Sequence, residues 1–167
     1  MNRLLAFILL FSVLQACSHT SDKPVSMYIP ASIESSKTDT VFTADGAKYE
    51  VKIVQNYTNR CPPSRIYKDV NDKPYYKCYR DMDFDISIMQ NDVLKYSRPG
   101  FRKADFAKAL PKDLQDSAVM NPMSFKYDPA NKLFVFGSWT GIHESNSGKE
   151  IGLVVNKDFK GSIVVAK

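Results

Sequence analysis

The sequence predicts a mainly β domain: an antiparallel sandwich or partly open barrel of about seven or eight strands with one or two short helices. Three observations point there. Tyr49, Val51 and Ile53 alternate with Lys48, Glu50 and Lys52, and Met82, Phe84, Ile86 and Ile88 alternate with Asp83, Asp85 and Ser87. This period of two belongs to strands with one buried face. Short apolar segments then recur to the end of the chain between turn formers, and one stretch alone, Arg102 to Leu110, spaces its apolar residues as a helix does.

The chain opens with a single positive charge at Arg3 and a run from Leu4 to Val13 that is almost wholly apolar. Ten helical residues span about 15 Å, half the hydrocarbon core of a bilayer, so the run suits a signal-peptide core and is too short for a membrane span. Leu14-Gln15-Ala16-Cys17 resembles the lipobox of bacterial lipoproteins, which has an aliphatic residue three before the cysteine and a small residue just before it. Gln15 stands where a small residue is commoner. The resemblance implies cleavage before Cys17, a diacylglyceryl thioether on its sulfur and an acyl chain, typically palmitate, on the new amino terminus. Several acyl chains at about 0.8 kcal/mol per methylene make a lasting anchor. Ser18, where an aspartate would favour inner-membrane retention, implies the outer membrane by the same likeness. An ordinary secretory signal with an incidental cysteine is the competing reading.

Three segments follow: 1–16 as leader, 17–40 as lipidated cysteine and tether, and 41–167 as a single β-rich domain. Ser18 to Thr40 is rich in Ser, Thr, Lys, Asp and Pro, the composition of a tether. Val25 to Ile29 interrupts it with apolar alternation, which would fit a short edge strand stopped by Pro30. The domain is expected to begin near Val41. After the two alternating strands, Asn91-Asp92 is a turn into Val93 to Ser97, and Pro99-Gly100 ends that hairpin. Phe101, Asp105, Phe106, Ala109 and Leu110 mark the helix, closed by Pro111, and Asp113 to Ala118 adds a second turn or two.

From Met123 the pattern returns to strands. Met123 to Tyr127, the turn Asp128 to Asn131 and the strand Lys132 to Ile142 come first. In the last of these Leu133, Phe134, Val135, Phe136 and Trp139 put apolar residues on both faces, which predicts a central strand buried on both sides. Ile151 to Asn156 and Ser162 to Ala166 close the chain. Tyr79-Arg80-Asp81 before an alternating strand, a Phe-containing helix, the strand to Trp139 and two closing strands together resemble a group of small Bacteroidetes lipoproteins of unknown function, over about Tyr49 to Val165. The likeness implies a β-rich fold and a Bacteroidetes-like host, and no activity. Asp39-Thr40-Val41 and Asp116-Ser117-Ala118 resemble the three-residue acceptor for O-glycosylation of exported Bacteroides proteins, which makes Thr40 and Ser117 candidates.

Composition limits the partners. Removing residues 1–16 takes away Arg3 alone and leaves 22 basic side chains against 18 acidic ones, scattered along the chain. No polybasic tract is present, so a dedicated nucleic-acid surface is not expected. About 150 residues can bury one core. With Cys17 lipidated, Cys61 and Cys78 remain as one pair in an oxidising compartment, and a disulfide between them would stabilise the intervening loop by about 3 kcal/mol on the chain-entropy model. Their spacing lacks the closeness of a redox pair.

Catalytic and metal signals are sparse. Asp81, Asp83 and Asp85 recur on one strand face, but the glycine of an EF-hand loop is absent, so a solvated polar face is expected and no metal site. His143-Glu144 at a loop mouth could supply a base with an orienting carboxylate, yet no second domain histidine and no nucleophile elbow accompany it. Loop polarity accounts for the pair. Tyr67, Tyr75, Tyr76 and Tyr79 are interleaved with cations including Lys77 and Arg80 around the cysteine loop, a combination suited to a carbohydrate or protein-binding surface. The expected function is therefore that of an outer-membrane-anchored lipoprotein, without enzymatic activity or cofactor, whose β-domain binds an envelope protein or glycan. A small-ligand carrier with an internal pocket is the alternative, and a hydrolase with a site near His143 is a further one.

Overall fold

The structure is a computed structural model that describes residues 25–28, 35–60, 66–142 and 145–166, with backbone alone at 25–28 and at residue 78. Twelve strands are found among them. They are β1 (Val25–Tyr28), β2 (Ser36–Ala44), β3 (Ala47–Tyr57), β4 (Ile66–Lys68), β5 (Pro74–Cys78), β6 (Met82–Gln90), β7 (Val93–Arg102), β8 (Val119–Met120), β9 (Ser124–Asp128), β10 (Leu133–Gly141), β11 (Gly148–Val155) and β12 (Gly161–Val165). A 3-10 turn, Lys103–Phe106, and one helix, α1 (Lys112–Ser117), lie between β7 and β8.

Two antiparallel sheets make a sandwich. One runs β2-β3-β6-β7; the other runs β12-β11-β10-β8, with β9 also paired to β10. The mainly β antiparallel class is as the sequence predicts, and the sheets do not close into a barrel. Both alternating segments put the expected residues inward. Tyr49, Val51 and Ile53 of β3 and Met82, Phe84, Ile86 and Ile88 of β6 are buried, while Lys48 is exposed and the other polar residues between them are half-buried. The opposite layer supplies Phe134, Phe136, Ile151, Leu153 and Val155. Phe134 sits where the layers meet, with ring centroids 5.3 Å from Tyr49, 6.3 Å from Phe42, 5.2 Å from Tyr127 and 6.0 Å from Phe159.

Turn chemistry sets the registers. Asp45-Gly46 joins β2 to β3 with Ala44 opposite Ala47, and both turn residues have positive φ (49° and 74°). Asn91-Asp92 does the same between β6 and β7, at 49° and 63°. A two-residue loop with positive φ twice is the turn whose twist matches paired strands, and Asn, Asp and Gly tolerate it. Lys132 reaches from the β9–β10 turn to Asp45 at 2.8 Å, and this ion pair raises the lysine above its ordinary range.

The β9–β10 turn is held by Asp128, whose carboxylate accepts from the Asn131 side chain at 2.8 Å and from the backbone N–H groups of Ala130 and Asn131. Those bonds favour the charged form, the Asn131 side-chain bond most, and lower the Asp128 pKa. A depressed carboxylate stabilises above its unfolded pKa, and that contribution is lost as pH falls through the folded value. In an NMR titration the Ala130 and Asn131 amides should therefore shift with a midpoint below that of an unstructured aspartate. An ordinary midpoint would mean that the turn does not depend on this charge.

Several expectations need correction. β2 starts at Ser36, so residues 36–40, expected to be tether, belong to a nine-residue strand. Val25–Tyr28 is a strand as expected, and it pairs parallel with β5. Pro99-Gly100 does not end the hairpin: a register shift between Phe84 and Ile86, with Gly100 at φ +61°, lets β7 continue to Arg102. The helix expected over Arg102 to Leu110 is only the 3-10 turn. Asp105 ties it off by accepting from the Arg102 N–H at 2.9 Å, and Phe101 and Phe106 are buried edge-to-face at 5.1 Å. Pro111 precedes α1 instead of closing a helix, as suits a residue without an N–H. Strand β10 is central, but the opposing sheet covers one face: Phe134, Phe136, Ser138 and Thr140 are buried, Leu133 and Val135 half-buried, and Trp139 is 48% exposed. The count exceeds seven or eight because of short strands such as β4, β5 and β8.

Candidate functional site

The aromatic surface expected around the cysteine loop forms a sheet of its own. Its order is β1-β5-β4, with Tyr67 opposite Tyr75 across the β4–β5 pair. Their rings are 5.6 Å apart, and the Lys77 ammonium stands 4.7 Å from the centre of the Tyr67 ring. None of the three belongs to the hydrophobic core, and each is half-buried. Tyr76 is adjacent in sequence to Tyr75 and so points to the other face of β5, across from Ile66. Tyr79 and Arg80 lie beyond the strand, half-buried, and the Arg80 Nε is buried without a hydrogen-bond partner. The six residues therefore separate into a Tyr67, Tyr75 and Lys77 face and a remainder.

Immediately after Arg80 comes the charged knot of the molecule. Asp81 is 1% exposed, contrary to the solvated face expected of the three aspartates. It precedes β6 at a chain crossing, where its carboxylate Oδ1 accepts from the N–H groups of Met82 (3.0 Å) and Met120 (2.9 Å). Its own backbone accepts from Thr58 N–H and donates to the Arg60 carbonyl. Asp83 and Asp85 stay on the outer face, where Asp83 pairs with Arg60 and Asp85 accepts from Asn56 and the Gly100 N–H. Burial raises the Asp83 pKa, and the nearby Arg60 opposes this.

An open cleft of about 470 Å³ lies over this knot, lined by Arg60, Asp81, Lys103, Gln115 and Asp116. Lys103 is 8% exposed, donates to the Ala118 carbonyl and has its pKa lowered by burial. No serine, threonine, cysteine or histidine lines the cleft among the described residues, and its charged groups are held by ion pairs, Arg60 with Asp83 and Asp116 with Lys112, and by bonds to backbone. These bonds join β6 to β8 and the 3-10 turn. Its chemistry is that of a clasp between the layers.

The outer face of the second sheet carries a feature the sequence reading missed. Trp139 was expected in a doubly buried strand, yet its indole lies over Gly141 and Gly148. A Cβ on either glycine would stand 2.7 or 2.6 Å from the indole nitrogen. Beside it Gly137 leaves a notch of about 330 Å³ bordered by Asn121, Ser124 and Glu150. The signal was legible as Gly-Ser-Trp-Thr-Gly: residues two apart share a strand face, so the tryptophan is flanked by glycines on its own side.

Other candidate positions are less informative. Thr40 is half-buried within β2, and Ser117 is half-buried at the end of α1. Cys17, Cys61, His143 and Glu144 lie outside the described residues, as does the side chain of Cys78, so the lipidation, disulfide and His143 expectations all fall there. Among the described residues no cluster of three or more His, Cys, Asp or Glu could hold a metal ion, and no helix is long and apolar enough to cross a membrane. In comparison with known proteins, residues 17–163 match a domain of unknown function, DUF4738. No curated protein matches the chain.

Proposed function

Since the chain belongs to the DUF4738 family, a domain of unknown function matched over residues 17–163, we propose that it is a lipid-anchored envelope protein whose β-domain binds another envelope macromolecule, a protein or a glycan, without catalysis. The anchor is the lipid on Cys17, placed in the outer membrane of a Bacteroidetes-type cell. The start of the family match at Cys17 agrees with cleavage at that point.

The observation that carries the binding reading is the Tyr67, Tyr75 and Lys77 stack on a sheet outside the core. Tyrosine presents a large contact area with few rotatable bonds, and a cation over one ring adds directional polarity at the rim. The aromatic rings between the two layers are 4.9 to 6.3 Å apart where Phe42 and Tyr49 meet Tyr127 and Phe134, so the space between the layers is filled there. This favours surface recognition over an internal carrier.

The test is cross-linking in intact cells expressing the tagged protein at native level, with mass spectrometry of what is captured. Tyr67→Ala with Tyr75→Ala should reduce capture of a reproducible partner at least about tenfold, the loss expected when central aromatic anchors worth about 2 kcal/mol are truncated. The pair Tyr75 and Tyr76 is a poorer choice because the two face opposite ways. Capture unchanged in the Tyr67 and Tyr75 double variant would rule out this surface.

A further inference from the structure

We propose that the notch beside Trp139 binds one pyranose ring of a β-linked, gluco-configured saccharide, with the indole as stacking platform and Glu150 as hydroxyl acceptor. The site is separate from the Tyr67 and Tyr75 face and does not rest on it. Register places its parts together: Trp139 is opposite Glu150, Gly141 is opposite Gly148, and Gly137 is opposite Ser124. All of them share the outer face of the sheet.

The indole is 48% exposed and rests on two glycines, so it is held flat while its outer surface meets solvent. A flat π-face complements a sugar face made only of C–H groups, which a ring has where its substituents are equatorial. The ordering cost is low because the platform is already in place. Gly137 removes the side chain that would fill the space next to it. A Cβ there would have Ser124 Oγ at 3.6 Å and Glu150 Oε1 at 3.7 Å, so those two groups border the notch from opposite sides. Ser124 Oγ donates to the Gly137 carbonyl and keeps lone pairs to accept. Glu150 supplies a charged acceptor, and the Asn121 side chain supplies both a donor and an acceptor.

The volume, about 330 Å³, is at the small end of the roughly 300–1,000 Å³ range of ligand sites, the scale of a single ring and its substituents. A quaternary ammonium or lysine side chain is the competing chemistry for an aromatic beside a carboxylate. Recognition of that kind uses a cage of rings. Here one ring faces several directional hydrogen-bonding groups, which favours the sugar.

Trp139 is the only tryptophan in the chain, so its emission reports on this site alone. The full-length protein in detergent micelles would be titrated with cellotriose and with triacetylchitotriose, and separately with tetramethylammonium chloride. A saturable emission change with at least one trisaccharide is expected, and none with the cation. By calorimetry, Trp139→Ala should weaken sugar binding at least about tenfold, and Glu150→Gln about tenfold, the worth of one hydrogen bond to a charged group. Gly137→Ala meets only ordinary contacts, so it should fold normally, as circular dichroism would show, and still weaken binding by narrowing the notch. Tyr67→Ala with Tyr75→Ala should leave the titration unchanged. No saturable change with either trisaccharide overturns the proposal, as does saturation by tetramethylammonium in place of sugar. Sugar binding that survives Trp139→Ala overturns it equally.

Discussion

Replacing Asp81 with alanine is expected to cost about 3–5 kcal/mol, the range for removing one member of a buried charged cluster. The carboxylate is 1% exposed, and its removal leaves the Met82 and Met120 N–H groups without acceptors inside the protein. It also deprives Arg60, at 3.8 Å, of one carboxylate, and leaves buried Lys103 with less negative charge nearby. Asp81→Asn preserves an oxygen at the same place and should cost less than Asp81→Ala. Urea denaturation of the full-length chain measures both. An alanine variant within about 1 kcal/mol of the parent would show that water reaches these N–H groups and that the clasp is dispensable.

Phe134→Ala should be comparably damaging, at about 3–5 kcal/mol, the usual cost of a phenylalanine truncated in a packed core. Phe134 is 2% exposed and touches aromatic rings from both layers, so the cavity cannot collapse by moving one strand. Phe134→Leu keeps more of the volume and should lose less. The control is Phe125→Ala: that ring is only half-buried and packs against Phe136 and Phe134, so its cost should fall below that of Phe134→Ala. Equal costs at the two sites would mean that Phe134 has no special place between the sheets.

The strands with strict alternation were legible because one face meets the core and the other meets water. β3 and β6 behave this way along most of their length, and the positions read as inward are inward. The β2–β3 hairpin was equally legible in Asp45-Gly46, the strongest short hairpin signal there is, but it falls across the point where a tether was expected to end. Composition misled there, since Ser36-Lys37-Thr38-Asp39-Thr40 looks solvated and is an edge strand with little to bury. The 3-10 turn was hidden for a different reason. Phe106, Ala109 and Leu110 are three and four apart, which suits a helix, but backbone bonds to Phe106 and the Asp105 cap satisfy a tighter geometry.

Site legibility followed the same division. Residue types suggested an aromatic surface, and Tyr67, Tyr75 and Lys77 are indeed brought together. The sequence could not tell which faces of β5 its tyrosines take, because the pairing with β4 crosses a loop with no periodicity of its own. Asp81 looked like its neighbours Asp83 and Asp85. Its burial depends on the approach of Met120, 39 residues further on, which no local pattern carries.

The parallel pairing of β1 with β5 bears on how far this molecule can stray from a bilayer. If Cys17 carries the lipid, the span between anchor and β1 is the eight steps from Cys17 to Val25 and not the whole of 17–40. At no more than about 3.6 Å per residue it reaches roughly 29 Å. A domain so anchored would be confined to a thin shell above the lipid headgroups, with β1 and the sheet it joins nearest the anchor along the chain. A partner held in the same membrane would then meet it by a search in two dimensions.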